Sequence, residues 1–285
     1  MLTDKYEQLR ELVRSFGSCL VAYSGGVDSV LLAWVCRDVL GARSVAVISD
    51  SPSLPRRELA EALELANRFD IPVRVVRTRE FESAKYLANP TNRCYFCKFE
   101  LFTELTPIAR QEQLATIVYG ENASDLGDFR PGATAAAEFQ VRAPLKEVGL
   151  TKSEIRALST ELGLPTADKP QMACLSSRIP YGEPVTPEKL KMIEEAENYL
   201  RDLGFCDVRV RHHELSQGAL ARIELGPAEI PKLLSHGTCG QVAAALRNAG
   251  YMHVVLDLLG YRRGSANEMN PTPRRSASTQ ESARQ

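Results

Sequence analysis

The stretch AYSGGVDS, residues 22–29, follows an apolar run, SCLVAYS (18–24), and opens a helical pattern that extends to Leu40. A strand, a turn with two adjacent glycines and a helix make an anion-binding arrangement. The glycines Gly25 and Gly26 let the backbone turn tightly and bring N–H groups close to a ligand, and the helix N-terminus adds the positive end of its dipole. Ser24 and Ser29 supply hydroxyl donors for phosphate oxygens, and Asp28 is placed to hold Mg²⁺ against them. The GxxxxGK[ST] spacing of the Walker loop is absent.

Outward from this loop, apolar runs alternate with helical patterns. SVAVISD (44–50), PVRVVRT (72–78) and LATIVYG (114–120) read as strands, FQVRAPL (139–145) as a further one, and a helix is expected from Pro55 to Phe69. This alternation predicts an α/β fold, a parallel sheet covered by helices. TKSEIRALSTELGLP carries a capping-box start, Thr151 to Glu154, and a stop at Gly163 and Pro165. Past Tyr181 the texture changes: a charged helix from Thr186 to Leu203 precedes the short runs DVRVRHH, ALARIEL, CGQVAAALRNAG and MHVVLDL. The expected organisation is a larger α/β domain over 1–180, a smaller α+β domain over 181–264, and a polar, Pro- and Ser-rich tail over 265–285 that predicts disorder.

The chain has 285 residues, 44% hydrophobic and 25% charged, which is ordinary for a globular protein with a sizeable core. Its formal net charge of -1 gives no general attraction to a phosphate backbone, so a stable nucleic-acid partner is disfavoured. MLTDKYEQLRELVRSFG mixes both charge signs at helical spacing, as an amphipathic surface helix does and a signal peptide does not, and no apolar run is long enough to span a bilayer. Seven cysteines without dense disulfide spacing point to a reducing cytoplasm, where paired thiols serve metals or redox chemistry.

Ligands of open parallel sheets sit at the carboxyl ends of strands, which makes Ser49 and Asp50 candidates for a base or ribose contact. Gly120, Glu121, Asn122 and Asp125 lie at a second strand end, and Arg130 near the tip of the following turn is a candidate anion contact. Cys94 and Cys97 form a CxxC just before a helix; alone, this spacing fits a redox dithiol, half a zinc site or part of an iron–sulfur site. Cys19 and Cys36 fall in apolar elements and read as core, Cys206 and Cys239 as packing or plain surface, and Cys174 lies in an irregular polar loop. His212 and His213 lack a metal-spacing partner and read as surface residues.

The Ser-Gly-Gly-x-Asp-Ser string in its strand–loop–helix setting resembles the pyrophosphate loop of the PP-loop ATPases, the adenine nucleotide alpha hydrolase-like fold. The resemblance implies that Ser24, Gly25, Gly26, Asp28 and Ser29 grip the β,γ-pyrophosphate of ATP and its magnesium, and that AMP is left on a substrate. MACLSSRIPYG (172–182), VRVRHH (208–213), ARIEL (221–225) and LGYRRG (259–264) sharpen this: together they resemble the LarE family, ATP-dependent sulfur transferases of nickel-pincer nucleotide biosynthesis. That resemblance implies a mononucleotide substrate, pyridinium-3,5-biscarboxylic acid mononucleotide, whose carboxylates become thiocarboxylates, and a homo-oligomer such as a hexamer. It implies catalytic roles for Cys174, Asp28 and Arg178, nucleotide contacts that include Gly120 and Asn122, and substrate contacts from Arg209, Arg211, Glu224 and Arg262. In the better-known form the cysteine matching Cys174 gives up its own sulfur, and that form lacks the CxxC. Here Cys94, Cys97 and Cys174 resemble instead a branch in which three cysteines hold a [4Fe–4S] cluster with one iron open, so the resemblance implies sulfur delivered either by such a cluster or by Cys174 itself. The ultimate sulfur donor is left unassigned. A PP-loop tRNA thiolase and an amide-forming ligase like the NAD or GMP synthetases are the alternatives.

Overall fold

A computed structural model describes residues 2–125, 131–170, 173–235 and 237–262; Arg130 and the expected tail, 265–285, lie outside the described residues. In chain order the first half comprises α1 (Leu2–Ser15), β1 (Cys19–Ala22), α2 (Val27–Leu40), β2 (Ser44–Asp50), α3 (Arg56–Arg68), β3 (Val73–Arg77), α4 (Ala84–Leu87), α5 (Arg93–Gln111) and β4 (Thr116–Tyr119). It is followed by the shorter helices α6 (Pro131–Glu138) and α7 (Pro144–Glu147), and by α8 (Lys152–Glu161).

The four strands form one parallel sheet in the order β3-β2-β1-β4. Every residue of β1 is buried, because helices cover both faces of the sheet. The period-two alternation of a strand divides its side chains: Cys19 and Val21 join the cluster built with α1 and α2, whereas Leu20 and Ala22 join Phe102, Leu105 and Ala135 on the other face. Cys19 and Cys36 are fully buried in the first cluster. The expected strand at FQVRAPL reduces to a single bridge between Arg142 and Val118. Val141 is tied back by its N–H to the Ala136 carbonyl, and Pro144 begins α7, so the chain touches the sheet edge at one residue only. The capping box is present: the Thr151 side chain accepts from the Glu154 N–H, and the Glu154 carboxylate accepts from the Thr151 N–H.

The second half holds α9 (Pro187–Asp202), β5 (Val208–Leu215), β6 (Gly218–Leu225), α10 (Ile230–Leu233), α11 (Thr238–Asn248) and β7 (His253–Leu256). β5 and β6 are an antiparallel hairpin, and β7 runs parallel to β6. Val208, Val210, Ala221 and Ile223 pack against Leu200 and Leu246 of the covering helices. The same alternation places Arg209 and Arg211 together on the opposite face, and carries His212 inward. His212 is therefore buried, with its ring centroid 5.5 Å from that of Tyr251, and is not the surface residue that the sequence led us to expect.

The start of α8 is also a pH-dependent contact. The Lys5 ammonium, 2.8 Å away, and then the Thr151 N–H hold the Glu154 carboxyl down at a pKa of about 2. A depressed carboxylate stabilises the fold above its unfolded pKa, and the contribution is lost as pH falls through the folded one. Glu154→Gln should thus cost up to about 1 kcal/mol at neutral pH, the scale of a half-exposed pair, and progressively less between about pH 4.5 and 2. Urea midpoints of both proteins across that range measure it; a difference independent of pH contradicts the assignment.

Candidate active site

The loop between β1 and α2 is ordered by its own side chains. The Ser29 hydroxyl donates to the Gly26 carbonyl at 3.0 Å, accepts from the Ser24 N–H at 3.1 Å and lies 3.0 Å from the Ser24 hydroxyl. Gly25 has a φ of 70°, and a Cβ there would sit 2.6 Å from that of Ala62, so the turn needs a glycine on both counts. Asp28 meets the Lys152 ammonium at 2.6 Å and the Asn122 amide at 3.4 Å. Lys152 is the first residue of α8, so the capped helix delivers a cation beside the loop.

This loop forms one wall of a cavity of about 430 Å³ at the carboxyl ends of the strands. Ser24, Gly26, Asp28, Ser29, Ser49, Gly120 and Asn122 line it, and so do Cys97 and Cys174. Asp50 points away from it, in an ion pair with Arg56. The loop, the two flanking strand ends and two of the three thiols thus share one space.

The thiols come from separate elements. Cys94 and Cys97 sit in the first turns of α5; Cys94 is exposed and Cys97 half-buried. Cys174 precedes the short turn Leu175–Arg178, which is pinned from several sides. The Leu175 N–H donates to the Ser53 carbonyl at 2.8 Å, and Arg93 at the start of α5 donates to the Ser176 carbonyl at 2.9 Å. Burial pushes the Cys97 thiol up, and the charges that Cys174, Glu80 and Cys94 can carry push it further, against Lys98. Burial pulls the Lys98 ammonium down, against the thiols and Glu121, which favour its charge. Three neighbouring thiols are the donor chemistry of a [4Fe–4S] site, although no three His, Cys, Asp or Glu side chains among the described residues converge closely enough to hold a metal ion.

The predicted arginines lie behind the Cys174 turn and outside the cavity lining. Arg178 is fully buried and clamps Glu197 through two bonds of 2.8 and 3.0 Å, while its remaining nitrogen donates to the carbonyls of Ala173 and Cys174 at 2.6 and 3.0 Å. Expected as a catalytic contact, it reaches the site through the backbone that carries Cys174. Burial works against the Glu197 carboxylate, yet Arg178, Arg209 and Arg201 together hold its pKa below the usual range. Arg211 donates to Glu224 at 2.8 Å and to the Ser177 carbonyl at 2.9 Å. Arg209 lies 4.9 Å from the Tyr261 ring, and Arg262 is exposed.

Sequence reading passed over several lining residues: Lys98, Lys152, Lys169, Ser51, Thr78 and Glu80. Only Lys152 carried a usable signal, its place directly after the capping residue Thr151.

No family model matches the chain. It is 45% identical to an uncharacterized protein of Synechocystis sp. over 269 residues, 94% of this chain and 99% of that one. It is 35% identical to the pyridinium-3,5-bisthiocarboxylic acid mononucleotide synthase of Lactiplantibacillus plantarum over 269 residues, 94% of this chain and 95% of that one. Over 213 residues, 67% of this chain and 65% of the other, it is 25% identical to one component of the glutamine-hydrolyzing GMP synthase of Methanopyrus kandleri.

A Cβ on Gly120 would stand 2.8 Å from the Ser29 backbone nitrogen, and a helix N-terminus has no slack to give. Gly120→Ala should therefore cost about 1–3 kcal/mol of stability and weaken ATP binding at least tenfold. Calorimetric titration with MgATP checks it; unaltered affinity contradicts the close packing of the β4 end on the loop.

Proposed function

Because this chain belongs to the LarE family, that of the pyridinium-3,5-bisthiocarboxylic acid mononucleotide synthase, we propose that it is an ATP-dependent sulfur transferase acting on the carboxylates of pyridinium-3,5-biscarboxylic acid mononucleotide. One observation carries the reading: the phosphate-type loop and the thiols Cys97 and Cys174 line the same cavity. An activated acyl group formed at one end is then within reach of sulfur at the other.

In the first step a substrate carboxylate oxygen attacks the α-phosphorus of ATP, the α–β bridging bond breaks and pyrophosphate leaves, giving an acyl-adenylate. The loop N–H groups, Ser24 and Ser29 hold the departing pyrophosphate, and Asp28 with Asn122 offers oxygens to Mg²⁺. Lys152 and Lys98 bring positive charge to a low-dielectric space in which negative charge develops. Ser49 and Gly120 flank the nucleoside. In the second step a sulfur nucleophile adds to the acyl carbon and AMP leaves with the electrons of the C–O bond. Adenylation matters because a carboxylate is a poor electrophile and AMP a good leaving group.

Cys94, Cys97 and Cys174 are the residues that would hold a [4Fe–4S] cluster, which supplies an open iron able to carry hydrosulfide. Without a cluster, the Cys174 sulfur itself adds to the acyl carbon as AMP leaves, and loss of the Cα proton with cleavage of the Cβ–S bond then releases the thiocarboxylate and leaves dehydroalanine at position 174. Arg178 positions Cys174, and Arg209, Arg211, Glu224 and Arg262 form the side from which the substrate phosphate is held. The division into units at 1–180 and 181–264 follows this split between nucleotide and substrate. Homo-oligomerisation and a cytoplasmic location complete the reading; among the described residues no helix is long and apolar enough to cross a membrane. An amide-forming ligase leaves the thiols beside the loop without a task, and a tRNA thiolase calls for a basic surface that a net charge of -1 does not favour.

Phosphorus NMR of the reaction should show AMP and pyrophosphate, never ADP and phosphate, and only with the carboxylate substrate present. Protein purified without oxygen should carry about four irons that Cys94→Ala loses; ADP formation contradicts the adenylation step, and full iron in the variant contradicts the ligand set.

A further inference from the structure

Two buried polar atoms in the cavity wall find no hydrogen-bond partner among the described residues: Oε2 of Glu80 and Oγ1 of Thr78. Glu80 is 2% exposed, and an unpaired oxygen so placed is costly unless something that enters the cavity satisfies it. The carboxylate is also fixed. Its other oxygen accepts from the Ser51 hydroxyl, which in turn accepts from the Ser53 N–H at 3.1 Å and lies 2.8 Å from the Ser53 hydroxyl. Lys98, the lysine of the neighbouring wall, has its ammonium 5.6 Å from the rings of Phe102 and Tyr119. A braced carboxylate with one open oxygen accepts an N–H or O–H from a ligand and repels an acceptor.

Strand order says which ligand group arrives there. The phosphate-type loop stands at the end of β1, and Thr78 and Glu80 follow β3, two strands away in the order β3-β2-β1-β4. Two strand spacings are about 10 Å, the reach of a nucleotide from its phosphates to the far edge of its base; the ribose, one methylene from the phosphate, stays nearer β1. Apolar side chains of the cavity lining, Val27, Leu54 and Leu101, offer walls for a flat ring.

We propose that Glu80, braced by Ser51 and flanked by Thr78, reads the nucleobase, its open carboxylate oxygen accepting a hydrogen bond from the exocyclic amine of adenine. The inference rests on the nucleotide-binding part of the proposed function. A 6-oxo purine presents an acceptor at the same point, so it meets like charge and leaves the carboxylate unpaired. Sites built on such a hydrogen bond discriminate strongly against analogues that lack the donor, by about 10⁴-fold where the group is fully buried. Gln at position 80 keeps the size and can turn its amide N–H to an oxo group, which makes the discrimination, more than the affinity, the quantity that should change.

Calorimetric titration of the full chain with the magnesium complexes of ATP, ITP and 2′-deoxyATP tests this, with native protein, Glu80→Gln and Thr78→Val. The expected result is a native preference for ATP over ITP that falls at least tenfold in Glu80→Gln and less in Thr78→Val, with the ratio of ATP to 2′-deoxyATP unchanged. Inorganic pyrophosphate binding that matches native protein shows that the variants keep their loop. An ATP to ITP ratio that survives Glu80→Gln, or a loss that falls on the 2′-deoxy ratio, overturns the inference and leaves adenylation standing. Native protein that binds no nucleotide overturns both.

Discussion

A guanidinium with no access to water must be fully paired, and in this fold that requirement links its two sheets. Arg178 spends part of its donor set on the Glu197 carboxylate and the rest on the carbonyls of Ala173 and Cys174. Glu197 lies on α9, and its oxygen also accepts from the Val210 N–H of β5 at 3.0 Å. The thiol-bearing turn is thereby fastened to the helix and hairpin of the second half. Removing either partner would leave a buried charge uncompensated, which costs about 3–5 kcal/mol, so the turn cannot relax independently of that hairpin. From the other side, Arg93 and the Ser53 carbonyl hold the same turn to α5 and to the segment after β2. Cys174 is placed by backbone contacts from three directions, none of which uses its sulfur.

The parallel sheet supplies the complementary constraint. A strand buried on both faces can open to a ligand only at its end, and β1 ends in a glycine turn where backbone N–H groups and a helix dipole converge. The cations nearby, Lys152 on Asp28 and Lys169 on Glu58, are held by carboxylates at 2.6 and 2.8 Å. The arginines of β5 lie behind the Cys174 turn, outside the cavity lining, and Arg211 donates to the Ser177 carbonyl of that turn.

The local features were legible in the sequence. The glycine turn, the capping box at Thr151 and the alternation of strands with helices depend on residues close together in the chain, and the structure has them where spacing put them. Long-range pairings were not legible: Glu197 sits in the run EEAEN of a charged helix and reads as a solvated face until the fold brings Arg178 onto it. Glu80 and Ser51 have no spacing pattern at all, because their relation is made by adjacent strand ends. FQVRAPL was misread because its apolar residues alternate while Pro144 commits the chain to a helix. His212 was misread because it was judged as part of a pair, although a strand sends neighbours to opposite faces. The grouping of Cys94, Cys97 and Cys174 rested on family resemblance; the structure brings Cys97 and Cys174 to one cavity, and Cys94 is not among the residues that line it.

In the proposed reaction nucleotide activation and sulfur transfer are separate steps in one cavity, the first needing the loop and the second the thiols. Exchange of labelled pyrophosphate into ATP, driven by the carboxylate substrate, measures the first step alone. In Cys174→Ala, exchange should run near the native rate with no thiocarboxylate product. Exchange abolished despite intact ATP binding, or thiocarboxylate still formed, would contradict it.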